Sequence, residues 1–393
     1  MNKMEKLIQE LCPEGVERFE LGDLAKVSTG QAPDEDWKSG TGQFPFINGG
    51  TSPSGYVRTS NTIGDTIVIP SRGSVGRVAY LKHEFWCGPL SYRIQSFDDA
   101  VVSNKFLFYS LKNSEDEIVA LQQSGSIPAL NKKELVSVRI AVPHFQVQQE
   151  IVSTLEKFTQ LEAELEAELE ARNKQFSFFC NQMFSETYSK NLAVPIGTLG
   201  ELGDFRKGSG LQKSDFSEDG EPCIHYGQIH TRFGSRTSEA LTKAPATVTN
   251  RLRVANPGDL IIADTAEDFG GVAKATAWLG DNPIAVGGHT LIYSHRFDST
   301  FISYFFRSAS FQDQKNRLAK GVKVKDISST AIAKIRVPFP DMETQRRIGS
   351  ALSQLDDLVG DSPDGLLGEI QARRKQYEHY RNKLLTFKEL DAA

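Results

Sequence analysis

Cysteine, methionine and tryptophan are scarce in this chain, with 4, 4 and 3 copies among 393 residues. Cys12, Cys87, Cys180 and Cys223 lie far apart, with no Cys-x-x-Cys pair and no adjoining histidine cluster. That spacing argues against a disulfide framework or a thiolate zinc site, and scattered thiols suit a reducing cytoplasm. Long apolar runs are also missing, and nothing approaches the roughly 20 residues of a membrane-spanning helix. Met1 to Glu10 mixes charged and apolar residues at helical spacing, which does not read as a secretory signal. A basic excess is absent too. The formal net charge is −5, which at first sight argues against a nucleic-acid ligand.

Catalytic signatures are equally thin. An adenine methyltransferase needs Asn/Asp-Pro-Pro-aromatic, but Asn256-Pro257-Gly258 and Asn282-Pro283-Ile284 lack the second proline. Gly270-Gly271 and Gly287-Gly288 lack the strand–loop–helix spacing of a nucleotide fingerprint, and there is no Gly-x-x-x-x-Gly-Lys-Ser/Thr loop. Pro33-Asp34 and Pro340-Asp341 resemble nuclease dipeptides but are common turn starters. His225, His230, His289 and His295 follow no helical ligand spacing, so no metal is expected. The chain is expected to be non-enzymatic.

What the chain does contain is a duplication. Leu21-Gly22-Asp23-Leu24 returns as Leu199-Gly200-Glu201-Leu202, and Gly30 aligns with Gly208 at the same offset of 178. Phe44-Pro45-Phe46-Ile47-Asn48 matches Glu221-Pro222-Cys223-Ile224-His225. Gly64-Asp65 before Ile67-Val68-Ile69 matches Gly258-Asp259 before Leu260-Ile261-Ile262. Both halves close on a short strand stopped by proline, Val138 to Pro143 and Ile335 to Pro338, followed by a helix opening at Gln148-Gln149-Glu150-Ile151 or Gln345-Arg346-Arg347-Ile348. Short apolar runs between Gly-, Pro- and Ser-rich turns predict mixed α/β domains, with buried helices at Phe106 to Leu111 and Phe301 to Arg307.

The expected organisation is a first domain over residues 1–145, a central helix over 146–190, a second domain over 191–342 and a C-terminal helix over 343–393. In the central helix Leu155, Phe158, Leu165, Leu169 and Phe176 follow steps of three and four, with Glu162 and Arg172 as polar interruptions. Leu352, Leu355, Leu366, Ile370 and Tyr377 form the matching seam, interrupted by Gly360-Asp361-Ser362-Pro363-Asp364-Gly365, which cannot propagate a helix cheaply. Two matched seams in one chain predict an antiparallel coiled coil. Two surface helices, each packed on its own domain, are the simpler alternative. From Gln146 to Lys190 there are 8 Glu against 4 Lys/Arg, so most of the net acidity sits on this helix and the domains are near neutral.

The duplicated plan, the proline-ended strands leading into Gln-rich helix starts, the opening Leu7 to Val16 and the segment Ala372 to Leu385 together resemble the specificity subunit of type I restriction–modification systems. The resemblance covers essentially the whole chain and is strongest in the helices and domain edges. It implies two tandem mixed α/β target-recognition domains separated by two long helices forming an antiparallel coiled coil, with an internal pseudo-two-fold repeat. It also implies a non-catalytic role: reading a bipartite double-stranded DNA site and scaffolding two modification (methyltransferase) subunits and the restriction (nuclease and translocase) subunits. No cofactor is expected in this chain; S-adenosylmethionine belongs to the partner methyltransferase subunits. A helix from Gln148 to Tyr188 would span roughly 60 Å at about 1.5 Å per residue, more than the roughly 35 Å between half-sites one turn apart. The alternative is a free-standing DNA-binding regulator or decoy without methyltransferase partners.

Base reading favours side chains with paired donors and acceptors, whereas phosphate contacts need only positive charge or backbone N–H groups. In the first domain Ser71, Arg72, Ser74 and Arg77 form a glycine-loosened basic loop, and Gln123 and Ser126 belong to a second polar loop. A hairpin turn with incidental arginines is the competing reading. In the second domain the candidates are Tyr226, Gln228, His230, Arg232 and Lys274, with Lys320, Lys323 and Lys325 as a phosphate clamp. Asp264 to Asp268 stands where the first domain has Arg72. Different chemistry at equivalent positions predicts two different half-sites and an asymmetric target.

Overall fold

The computed structural model describes residues 3–34, 36–123, 128–185, 193–360 and 365–390. The chain divides into two compact units, residues 1–165 with 370–393, and residues 166–369.

In the first unit a four-stranded antiparallel sheet runs in the order Ala25–Thr29, Ser91–Ser96, Thr66–Pro70, Ala79–Leu81. Thr66–Pro70 is buried at every position, as its unbroken apolar run requires of a strand covered on both faces. A smaller sheet joins Gly55–Val57, Phe44–Ile47 and Trp86–Cys87, the last two strands parallel. Arg18–Glu20 pairs antiparallel with Arg139–Ala141 and ties the start of the domain to its last strand. The helix Asn104–Asn113 is capped by the Ser103 hydroxyl, which accepts from the Phe106 amide, and buries Phe106, Leu107 and Leu111.

The second unit repeats that plan. Its main sheet runs Gly203–Lys207, Thr290–His295, Leu260–Ala263, Ala275–Trp278, Arg236–Thr237. Its smaller sheet runs Thr242–Ala244, Glu221–Ile224, Ile284–Val286, Arg253–Ala255, again with one parallel pair. Ile196–Thr198 pairs with Arg336–Pro338, and Asp298 caps the buried helix Ser299–Phe305. The duplication seen in the sequence is thus a duplication of topology, in two mixed α/β domains.

The central helix runs from Phe145 to Met183; Phe184 and Ser185 leave it in a turn, and the rest of its expected continuation to Tyr188 falls outside the described residues. The C-terminal part forms two helices, Met342–Val359 and Leu366–Leu385, interrupted where the Gly/Pro segment predicts a break. Within the first unit the Phe158 ring stacks on Tyr380 at 5.6 Å and meets Tyr377 edge-on at 6.4 Å, while Arg374 pairs with Glu162 at 2.6 Å. Partners descend in number as the central helix ascends, so the pairing is antiparallel. Glu162, expected to be a polar interruption, holds an ion pair between the two helices. The seam is not uniform. Leu155 is fully buried in the first unit's core with Leu384 and Leu385, whereas Phe176, Cys180 and Phe184 enter the second unit's core with Leu352. Leu165, Leu169 and Leu366 are only half-buried.

A buried glutamine fastens each long helix to its domain. The Gln148 side chain, fully buried, donates to the carbonyls of Val101 at 2.9 Å and Pro143 at 3.0 Å and accepts from the Ser103 amide at 3.1 Å. Gln345 makes the equivalent bonds to the Pro340 carbonyl and from the Asp298 amide, both at 2.8 Å. Each glutamine therefore links a proline-ended strand, the N-cap of a buried helix and the start of a long helix.

Candidate nucleic-acid interface

The same backbone hydrogen bonds build the loop end of both domains, and they fix which side chains are equivalent. The Gly30 amide bonds the Ser91 carbonyl as Gly208 bonds Thr290; Gly88 bonds Ile47 as Gly287 bonds Ile224. Ser71 donates to Leu90 as Asp264 donates to His289, and the carbonyls of Ser71 and Asp264 accept from Leu130 and Ile327. Gly76 bonds Pro70 as Ala273 bonds Ala263, and both residues adopt positive φ, +75° and +62°. Alanine is strained there, which shows how firmly the surrounding frame imposes this turn.

On this shared frame the side-chain chemistry differs. Thr29, Gly49, Ser71, Arg72 and Leu90 of the first domain stand where the second has Lys207, Tyr226, Asp264, Thr265 and His289. Between the matched anchors, Ser71 to Gly76 and Asp264 to Ala273, the second domain carries four extra residues.

In the first domain Arg72 and Ser74 are exposed, and the Ser74 amide is held by the Gly49 carbonyl at 2.9 Å. Ser71 is half-buried on its two backbone bonds. Gly73, at φ +77°, would drive a Cβ to 2.3 Å from the Gly49 carbonyl oxygen, so only glycine fits this turn. Arg77 is exposed and lies 3.9 Å from Glu115, whose carboxylate also pairs with Lys112. Gln123 bridges to Ala129 and reaches Glu134 at 3.4 Å; Ser126 lies outside the described residues.

In the second domain Tyr226 to Thr231 is a short helix, where the first domain has only bends. Tyr226 packs beside the exposed His289 ring at 5.2 Å. Gln228 closes a capping box with His225, and His230 bonds the Thr265 carbonyl through Nε2 at 3.0 Å. Lys274 donates to the His230 carbonyl at 2.9 Å, and burial lowers its pKa. These three side chains shape the loop end. Arg232 is exposed on a cleft of about 780 Å³ that also holds Arg236 and Arg307, each paired with an aspartate, Asp357 and Asp356.

Lys320 and Lys323 are exposed on a hairpin closed by reciprocal Lys320–Asp326 backbone bonds, while Lys325 turns back to donate to the Gly321 and Val322 carbonyls. Asp264 is buried, with Lys207 at 3.6 Å; burial raises its pKa and the lysine opposes that shift. Sequence reasoning named His289 only among the histidines weighed for a metal site and did not single out Lys207; the signal for both at this interface was their register with Leu90 and Thr29.

Burial pushes the Cys87 thiol up to about 11 and the Cys180 thiol up to about 12, which makes both poor nucleophiles. Asp341, in the nuclease-like dipeptide, caps the helix Met342–Val359 through the Thr344 amide at 2.8 Å. Among the described residues no group of three or more His, Cys, Asp or Glu is arranged to hold a metal ion. No helix among them is long and apolar enough to cross a membrane.

The model of the type I restriction modification DNA specificity domain matches this chain twice, over residues 13–171 and 194–370. The chain belongs to that family. It is similar to the type I restriction enzyme MjaVIII specificity subunit of Methanocaldococcus jannaschii, 22% identical over 407 residues, spanning 95% of this chain and 92% of the relative. The EcoR124I/EcoR124II specificity subunit of Escherichia coli is 30% identical over 251 residues, 61% of this chain and 59% of its own. Among solved structures, the S subunit of the type I restriction-modification system from M. genitalium shares the fold, with a TM-score of 0.61, 18% identity and 94% and 96% coverage of the two chains. Both repeats of the family lie on this single chain, in the two domains whose loop ends share a frame.

Proposed function

We propose that this chain is the DNA-recognition subunit of a type I restriction–modification complex, in which each domain reads one half of a bipartite, asymmetric double-stranded site. The observation that carries the proposal is one hydrogen-bonded frame presenting two different sets of side chains. Identical frames offer identical approach to a groove, and the side chains on them decide which bases are accepted. In the first domain the proposed contacts are Ser71, Arg72, Ser74, Arg77, Gln123 and Ser126. In the second they are Tyr226 and Arg232 at the loop end, with Lys320 and Lys323 on phosphates, while Gln228, His230, Lys274 and Lys325, expected from the sequence as contacts, brace that surface through their own bonds.

The chain itself performs no chemistry in this reading. It scaffolds two methyltransferase subunits, which bind S-adenosylmethionine, and through them the restriction subunits. The paired long helices act as the spacer. A protein with two equivalent halves suits two methyltransferase subunits acting on opposite strands.

The test is co-expression with the methyltransferase subunits, followed by mapping of methylated adenines with and without this chain. The expected result is a co-purifying complex and one bipartite, non-palindromic motif. A palindromic motif would contradict the assignment of different readers to the two domains, and failure to co-purify would remove the scaffold role. The purified chain alone, given DNA with methyl donor or divalent metal, is expected to show no turnover.

A further inference from the structure

The four extra residues of the second domain form a loop held from several sides, although its tip is exposed. Thr265–Ala266 pairs antiparallel with Lys325–Asp326, and the Asp268 carboxylate accepts from the Gly271 amide at 2.6 Å. Beneath the tip, Lys315 is fully buried and donates to the Phe269 carbonyl and to Gln312 Oε1. A buried ammonium is costly, so placing one under a loop carbonyl is a strong constraint on where that loop stands. Yet Phe269 itself is 42% exposed, with the Lys325 ammonium 4.5 Å from its ring centroid. Val322 and Val324, on the hairpin whose Lys325–Asp326 strand pairs with this loop, are exposed as well, so the loop end carries more apolar surface than one stray ring.

We infer that Phe269 is a base-contacting specificity residue of the second domain and reads a thymine in its half-site through the C5-methyl group. Apolar side chains recognise that methyl in the major groove, and the exposed Lys320 and Lys323 of the adjoining hairpin would take phosphates. The first domain, four residues shorter between the same anchors, has no counterpart to this loop tip. The inference rests on the DNA-recognition reading above and adds a residue and a base type to it.

The test uses the assembled methyltransferase complex and its mapped target, with each thymine of the second half-site replaced in turn by uracil, which removes only the methyl. For the wild-type protein one replacement should weaken binding by about three- to fivefold, the worth of one apolar methyl contact. Phe269→Ala should lose about the same factor on the thymine site and become indifferent to that replacement, the pattern of a coupled pair. Phe269→Leu, which keeps an apolar side chain, should retain most of the discrimination. Unchanged melting of both variants checks the fold, as expected for an exposed side chain. A second half-site without thymine, wild-type indifference to every uracil, or full discrimination by Phe269→Ala would each overturn the inference and leave the DNA-recognition reading standing. If Phe269→Ala lost its methyltransferase partner but kept its base preference, the loop tip would be a protein contact and the inference wrong. Wild-type complex without any sequence-selective binding would instead defeat the reading on which it rests.

Discussion

Replacing Gln148 by leucine tests whether the long helix is fastened to the first domain in the way its hydrogen bonds indicate. Leucine nearly conserves the volume but can neither donate nor accept. Three backbone groups lose their partner: the Ser103 amide, the Val101 carbonyl and the Pro143 carbonyl. A buried group left unsatisfied costs about 1–3 kcal/mol. Val101 is itself exposed, so water can replace the glutamine at its carbonyl, whereas the bond to Pro143 is buried. Two groups therefore carry most of the loss, and the added apolar burial of leucine returns about 1–2 kcal/mol. The net cost should be about 1–4 kcal/mol, a large part of an ordinary domain's stability of about 5–15 kcal/mol.

Gln345→Leu removes the two equivalent bonds of the second unit, to Pro340 and from Asp298, and should cost a similar amount. Because a two-unit chain need not unfold in one step, the assay is hydrogen exchange resolved by peptide, combined with urea denaturation. The Ser103 amide should lose protection in the first variant and the Asp298 amide in the second. Stabilities within about 0.5 kcal/mol of wild type, with both amides still protected, would refute the reasoning, since such a change is what an uninvolved surface position gives.

Arg72→Ala should weaken DNA binding; a phosphate contact would lower the salt slope by about one and affect all sequences equally, a base contact would relax the first half-site only. Unchanged affinity and salt dependence would remove Arg72 from the interface. Phe158→Ala removes the ring that stacks on Tyr380 and meets Tyr377, and should destabilise the paired helices by about 2–3 kcal/mol; a melting temperature equal to wild type would show that the pairing does not depend on this seam. Burial pushes His295 down to about 4, with Asp259 and Asp298 opposing the shift. Its folded pKa thus lies below the ordinary 6.5, so the unfolded chain takes the proton first. Stability from this group is complete above about pH 6.5 and is lost as the pH falls towards 4, by up to roughly 3 kcal/mol. His295→Phe should flatten that part of the second unit's pH–stability curve, and a curve of unchanged slope would show the burial argument to be wrong.

Much of the frame was legible in the residues. Repeated Gly-Asp turns before apolar runs and proline-stopped strands recur because each marks a local backbone requirement that does not depend on what packs nearby, whereas the paired Gln-rich helix starts recur because Gln148 and Gln345 fill the same buried clamp in both units. The break at Gly360 to Gly365 is of the same kind. The seam was legible only in part: the three- and four-residue steps located Leu155, Phe158 and Phe176, but periodicity does not say what lies opposite. The short helix at Tyr226 to Thr231 was missed, since a six-residue segment containing glycine carries too little pattern to separate helix from turn.

By itself the sequence determined that there are two copies of one mixed α/β plan and that long helices follow both. Those are consequences of local propensity and repetition. Only the tertiary structure decided that Gln148 and Gln345 are buried clamps, that Glu162 pairs with Arg374, and that Lys207 and His289 stand on the same hydrogen-bonded frame as Thr29 and Leu90. It also decided that Lys274 and Lys325, read from the sequence as DNA contacts, donate to backbone carbonyls. The reason is common to all of them: burial and hydrogen-bond partners come from residues distant in the chain, and a residue's type constrains what it can bond without naming the partner.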